Sequence, residues 1–205
     1  LLKDMKKILI TGKADKRIIS YPLMHICNYA GKTCLITDDV NYKRLYGGYN
    51  MQGDIDNVHI EIIPPVDTNA DLSDLFTAKE EYGYDILILV LDSYITDGMD
   101  GIYIVGNQIR TFLDIEIEEV MDEHPNTTAF AVSLVKRSVP SGVIPFVWNM
   151  DDFFYLCTVE ETRKLQAPKN KKMVELLQRS ICSATGTPMS TYTGLTAGVK
   201  KKKKR

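Results

Sequence analysis

The stretch Tyr84–Asp92, YDILILVLD, does most to limit what this chain can become. Between its polar ends it is unbroken Ile, Leu and Val. A run of this length and character is a strand buried on both faces, so the sheet containing it needs a covering layer on each side. Other short apolar runs supply the neighbouring strands: Lys7–Thr11, Lys32–Asp39, Val58–Ile63, Gly101–Gly106, Thr127–Val135 and Gly142–Asn149. Between several of them the apolar residues recur at helical spacing. Arg17–Ala30 places Ile18, Ile19, Leu23, Met24, Ile26 and Cys27 on one face, with Pro22 in its early turns and Gly31 to stop it. Thr68–Gly83 and Lys169–Ser183 read as helices, as does Ile109–Glu123 with its several acids. Strands alternating with helices predict an α/β protein with three layers, α/β/α, around a mainly parallel central sheet. The polar, glycine-bearing stretch Val40–Asn57 reads as a long loop with one helical turn, and Asp152–Cys157 as a further strand. Residues 1–184 form one domain in this reading. Residues 185–205, rich in Gly, Thr and Lys, form a flexible tail.

The 205 residues suffice for such a core, and 44% hydrophobic with 25% charged residues is ordinary globular composition. No apolar run reaches the roughly 18 residues of a membrane-spanning helix. LLKD, before Met5, is too short and charged for a signal peptide; the expectation is that translation begins at Met5 or that Leu1–Asp4 is not native. Cys27, Cys34, Cys157 and Cys182 lie in or beside apolar stretches without CxxC spacing, which suits reduced thiols in the cytoplasm. His25, His59 and His124 show no metal-ligand spacing. The formal net charge of −2 conceals a split. Lys200, Lys201, Lys202, Lys203, Lys204 and Arg205 carry six positive charges, and without them 19 basic residues face 27 acidic ones, a net of −8.

In a parallel sheet, ligands bind beyond the carboxyl ends of the strands. The first strand runs into Gly12-Lys13-Ala14-Asp15-Lys16-Arg17, the second into Asp38-Asp39, and the central one into Asp92-Ser93. The loop after the first strand opens a helix, where a phosphate-binding loop would sit. Lys13, Lys16 and Arg17 make it an anion-binding candidate at a helix N-terminus. Asp15 opposes that role, and one glycine gives little freedom for backbone N–H groups to turn inward. Asp38, Asp39 and Asp92 are the residue type that places Mg or a water, and aspartate also commonly ends strands and starts turns. Tyr42, Lys43 and Arg44, within YKRLYGGY, mix basic and aromatic character as partner-binding or nucleic-acid loops do. Six adjacent like charges at Lys200–Arg205 attract phosphate-rich surfaces, whether nucleic acid or anionic membrane.

The order of these pieces resembles the MinD/ParA group of P-loop ATPases, the SIMIBI-class proteins with a deviant Walker A loop, including relatives of TadZ and CpaE type. The resemblance covers roughly Lys6 to Ser183. It rests on GKTCLITDD where that family enters its first switch, YDILILVLDS at its Walker B strand and second switch, GIYIVG before a helix, and VIPFVWN before a last amphipathic helix. The family's loop reads KGGxGK[ST]. Aligned on Gly12-Lys13, GKADKRIIS puts Lys13 at the signature lysine, Ala14, Asp15 and Arg17 at glycines, Ile18 at the Walker lysine and Ile19 at the Mg-binding hydroxyl. A slip of one or two residues brings Lys16 or Arg17 closer, with Ser20 as a late hydroxyl. The resemblance implies a P-loop fold, ATP with Mg as the cofactor, Gly12, Lys13, Lys16, Arg17 and Ser20 toward nucleotide, Asp38 and Asp92 toward metal, and Asp92 and Asp39 as catalytic acids.

Isoleucines at the lysine and hydroxyl positions supply neither charge nor metal ligand, which argues against efficient ATP hydrolysis. The expectation is a degenerate positioning or scaffold protein, working by protein contact or as a homodimer. Two alternatives stand beside it: an active ATP-binding switch with an unusual loop, and a nucleic-acid accessory protein using the basic tail. A receiver- or flavodoxin-like fold fits less well, because the chain continues long after its fifth strand.

Overall fold

The computed structural model describes residues 4–109, 112–113, 117–186 and 188. The basic residues Lys200–Arg205 fall outside this set. Nine strands of the described residues form the sheet: β1 (Lys6–Thr11), β2 (Thr33–Thr37), β3 (Gln52–Ile55), β4 (Val58–Ile62), β5 (Ile86–Val90), β6 (Gly101–Ile109), β7 (Phe112–Leu113), β8 (Thr127–Ser133) and β9 (Ile144–Val147). Their order is β3-β4-β2-β5-β1-β6-β8-β9, with β7 beside β6. All neighbours are parallel except β3 with β4 and β7 with β6.

YDILILVLD supplies β5, between β1 and β2, and all five of its strand residues are buried. Alternate side chains enter two separate cores. Ile86, Ile88 and Val90 join Ile8 and Ile10 beneath α1 (Arg17–Cys27), α4 (Met150–Thr162) and α5 (Lys171–Thr185). Leu87 and Leu89 join Leu9 beneath α2 (Ser73–Glu81) and α3 (Ile117–Glu123). The three layers of the sequence reading are present. No helix of the described residues is long and apolar enough to cross a membrane.

Four local expectations need correction. Asp152–Cys157 is helical and lies within α4. Asn149 and Asp152 form a capping box, each side chain accepting from the other's backbone N–H. That reciprocal cap outweighs the strand preference of the aromatic pair Phe153–Phe154. Ile109 ends β6, β7 pairs back on it, and the helix begins only at Ile117. The stretch Val40–Asn57 holds a 3-10 helix at Val40–Leu45 and the edge strand β3. Asp56, at φ 51°, and Asn57 join β3 to β4 as a two-residue hairpin turn. The first helix stops at Cys27, three residues short of Ala30.

The hairpin is tied to distant chain. The Asp56 carboxylate accepts the Leu165 N–H at 2.7 Å, and the Asn28 side chain accepts that of Asn57 at 3.0 Å. His25 sits near this junction, buried, with its ring edge-on to Tyr29 at 5.5 Å. Neither ring nitrogen meets a hydrogen-bond partner in good geometry. Burial lowers the His25 pKa below its ordinary 6.5, and the nearby Leu165 backbone and Asp56 charge only partly oppose this. The unfolded chain therefore binds the proton more readily. Stability holds above about pH 6.5 and declines as pH falls below it toward the folded value. Urea midpoints at pH 7.5 and 5.5 should differ more for the natural protein than for His25→Phe, which lacks the titrating group. Equal shifts in the two proteins would remove His25 as the cause.

Candidate functional site

The chain turns from β1 into α1 beside the carboxyl ends of β5 and β6. Gly12 has φ 118° and runs against β6, where a Cβ would meet the Val105 carbonyl oxygen at 2.3 Å. This glycine serves the close approach of two backbones. The following turn is fastened to the same strand, because the Ala14 N–H donates to the Val105 carbonyl at 2.9 Å and the Asn107 side chain donates to the Lys13 carbonyl at 3.2 Å.

The N-terminus of α1 meets an anion from its own chain. Asp15 accepts the Arg17 N–H at 3.1 Å and takes the Arg17 guanidinium in a fork, 2.9 Å from Nε to Oδ1 and 2.6 Å from Nη2 to Oδ2. The remaining arm of Arg17, Nη1, donates to Glu160 Oε1 at 2.8 Å. The Asp15 hydrogen bonds raise the Arg17 pKa further, against the effect of burial. Glu160, on α4, also accepts the Tyr21 hydroxyl at 2.9 Å and lies 3.7 Å from Arg44.

Lys16 points the other way. Its Nζ lies 2.5 Å from Asp92 Oδ1 and 3.2 Å from the Gly12 carbonyl. The Lys16 side chain is 11% exposed and that of Asp92 74%. The Asp92 N–H donates to Asp38 Oδ2 at 3.3 Å, and burial raises the Asp38 pKa. Lys16, Asp38 and Asp92 thus gather beyond β1, β2 and β5. Asp39 turns aside to cap the 3-10 helix, accepting from the Asn41 backbone and side chain, each at 2.8 Å.

The other sequence candidates scatter. Lys13 is exposed. Ser20 is buried, its hydroxyl 2.6 Å from that of Tyr42. Tyr42 is itself fully buried, edge-on to Tyr21 at 5.8 Å, and burial raises the pKa of both phenols. Lys43 is half-buried and Arg44 exposed. Ile18 and Ile19, at 4% and 0% exposure, belong to the core.

These residues suit Mg-triphosphate poorly. The helix end already holds a carboxylate, two of the three cations are paired, and an ammonium lies against the acid that would face the metal. Among the described residues, no three His, Cys, Asp or Glu side chains are placed to share a metal ion.

A second feature escaped sequence reading. A cleft of about 610 Å³ opens between the Asp15–Arg17 turn, Leu134 just after β8, Trp148 after β9, and the outer face of α4. Glu160 forms part of its wall. The sequence signal for this wall was Asn149-Met150-Asp151-Asp152, a helix start with an N-cap residue and an acid three positions later.

No family model matches this chain, and no curated protein matches it. Among solved structures it is similar to a ParA family ATPase from Chlorobium tepidum TLS, at 10% identity and a TM-score of 0.39, over 91% of this chain and 95% of that one. The likeness is distant.

Proposed function

We propose that this chain is a MinD/ParA-like α/β scaffold in the cytoplasm that has lost ordinary ATP hydrolysis and acts through protein contacts. One observation carries the reading. The turn that would cradle phosphate is closed by the chain's own groups, with Asp15 on the α1 N-terminus and on Arg17, and Asp92 on Lys16. Ile18 and Ile19, at the positions the family gives to lysine and hydroxyl, are built into the core. A triphosphate would have to displace the half-buried Asp15 carboxylate and bring its charge beside Asp92.

The active-switch reading has one observation in its favour. Asp92 is largely exposed, so its pair with Lys16 contributes only about 0–1 kcal/mol. A phosphate could compete for that lysine. Calorimetric titration with ATP and with ADP, with and without Mg, separates the readings. The scaffold reading expects no saturable heat at millimolar nucleotide. Saturable, Mg-dependent ATP binding that is lost in Lys16→Ala would overturn it in favour of the switch.

A further inference from the structure

We infer that the cleft beside α4 is a docking groove for an acidic amphipathic helix of a partner protein. The inference rests on the scaffold reading above and assigns it a surface and a kind of partner. α4 is apolar on two sides. Leu156 and Val159 face the core, while Met150, Phe153 and Cys157 line the cleft at successive turns. Phe153 and Met150 are 54% and 64% exposed, and Leu134 across the cleft is 82% exposed. Isolated exposed apolar residues are ordinary, but a stripe at helical spacing facing a further apolar wall is the surface that a second helix packs against.

The charges in the groove select the partner's sign. Both Asp15 oxygens are engaged by Arg17, and Glu160 Oε1 accepts from Arg17 and Tyr21. Arg44 differs from these. Its side chain is 61% exposed, and its ion-pair contact, to Glu160 Oε2, is 3.7 Å, beyond hydrogen-bond length. The guanidinium therefore has donors to spare at the rim of an apolar floor. A carboxylate beside the partner's Leu or Phe anchors matches those spare donors, whereas an ammonium there would find the groove's two acids, Asp15 and Glu160, already engaged by Arg17, Tyr21 and Arg44.

The test uses two synthetic amphipathic helices with the same Leu and Phe stripe, one flanked by glutamates and one by lysines. Binding to the full chain is followed by fluorescence anisotropy at low salt. The glutamate helix should bind about ten-fold or more tighter than the lysine helix. Phe153→Asp should abolish binding of both, and Arg44→Glu should reverse the preference. Both positions are exposed, and circular dichroism checks that the variants fold. Failure of both helices to bind, or an unchanged preference in Arg44→Glu, would overturn the proposal. So would concentration-dependent self-association that Phe153→Asp removes, because the occupant would then be a second copy. ATP titrated into the same samples keeps the two readings apart. ATP binding sinks the scaffold reading, whereas loss of helix binding without ATP binding sinks this proposal alone.

Discussion

Gly12→Ala is expected to cost several kcal/mol and to lower Tm by roughly 6–20 °C. Two penalties add. At φ 118° an L side chain is strained, and the new Cβ would lie 2.3 Å, 2.8 Å and 2.9 Å from the Val105 O, C and N atoms. Those atoms are backbone of β6, held between β1 and β8, and they cannot move aside as a flexible side chain would. A combined cost of about 3–5 kcal/mol places the substitution among the large effects, and for a chain of this length each kcal/mol lowers Tm by about 2–4 °C. Gly83→Ala isolates the conformational part. Gly83 has φ 72°, and a methyl group added there would meet nothing within 4 Å, so its cost should be only about 1 kcal/mol. Urea unfolding of the two variants gives the comparison. Similar costs would mean that the close approach to β6 contributes nothing.

Installing a lysine and a hydroxyl of the Walker A kind at Ile18 and Ile19 should fail, and at large cost. Ile18→Lys puts an ammonium at a site 4% exposed, among apolar side chains of the core under α1. An unpaired buried charge of this kind destabilises by about 3–5 kcal/mol. Ile19→Thr replaces a fully buried ethyl arm by a hydroxyl and should cost about 2 kcal/mol or more. The paired substitution should unfold well below the natural protein and gain no ATP binding. Gained binding with stability retained would show that the turn can still open into a phosphate cradle, and would refute the assignment of Ile18 and Ile19 to the core.

The centre of the fold was legible because burial on both faces writes itself into sequence as unbroken apolar runs. YDILILVLD and KKILIT, now β5 and β1, are of this kind, and so is the amphipathic period of α1. What was missed lies where local chemistry outweighs period. Phe153-Phe154-Tyr155 resembles a strand until the Asn149–Asp152 cap is recognised. β3 is too short and polar to show a period, and its signal was the Asp56-Asn57 turn. The strand-end positions of Asp38, Asp92 and the Gly12–Arg17 turn were readable from topology. The pairing of Arg17 with Glu160 was not, because it joins residues 143 apart in sequence through the packing of two helices. The burial of Tyr42 was hidden for the same reason, since its partners Ser20 and Tyr21 belong to another element.

β1 and β2 follow one another in the chain, yet β5 lies between them. During synthesis the first two strands therefore have no adjacent place to pair, and the gap stays open until residues 86–90 are made. β1 then needs β6 on its other side, and the hairpin, already tied to Asn28, gains its second tie at Asp56 only when Leu165 arrives. Such insertion makes contacts between sequence-distant segments a condition of assembly, which slows folding and leaves strand edges uncovered in the nascent chain. The central position that buries β1 so completely also makes it one of the longest-waiting parts of the protein as the chain is made.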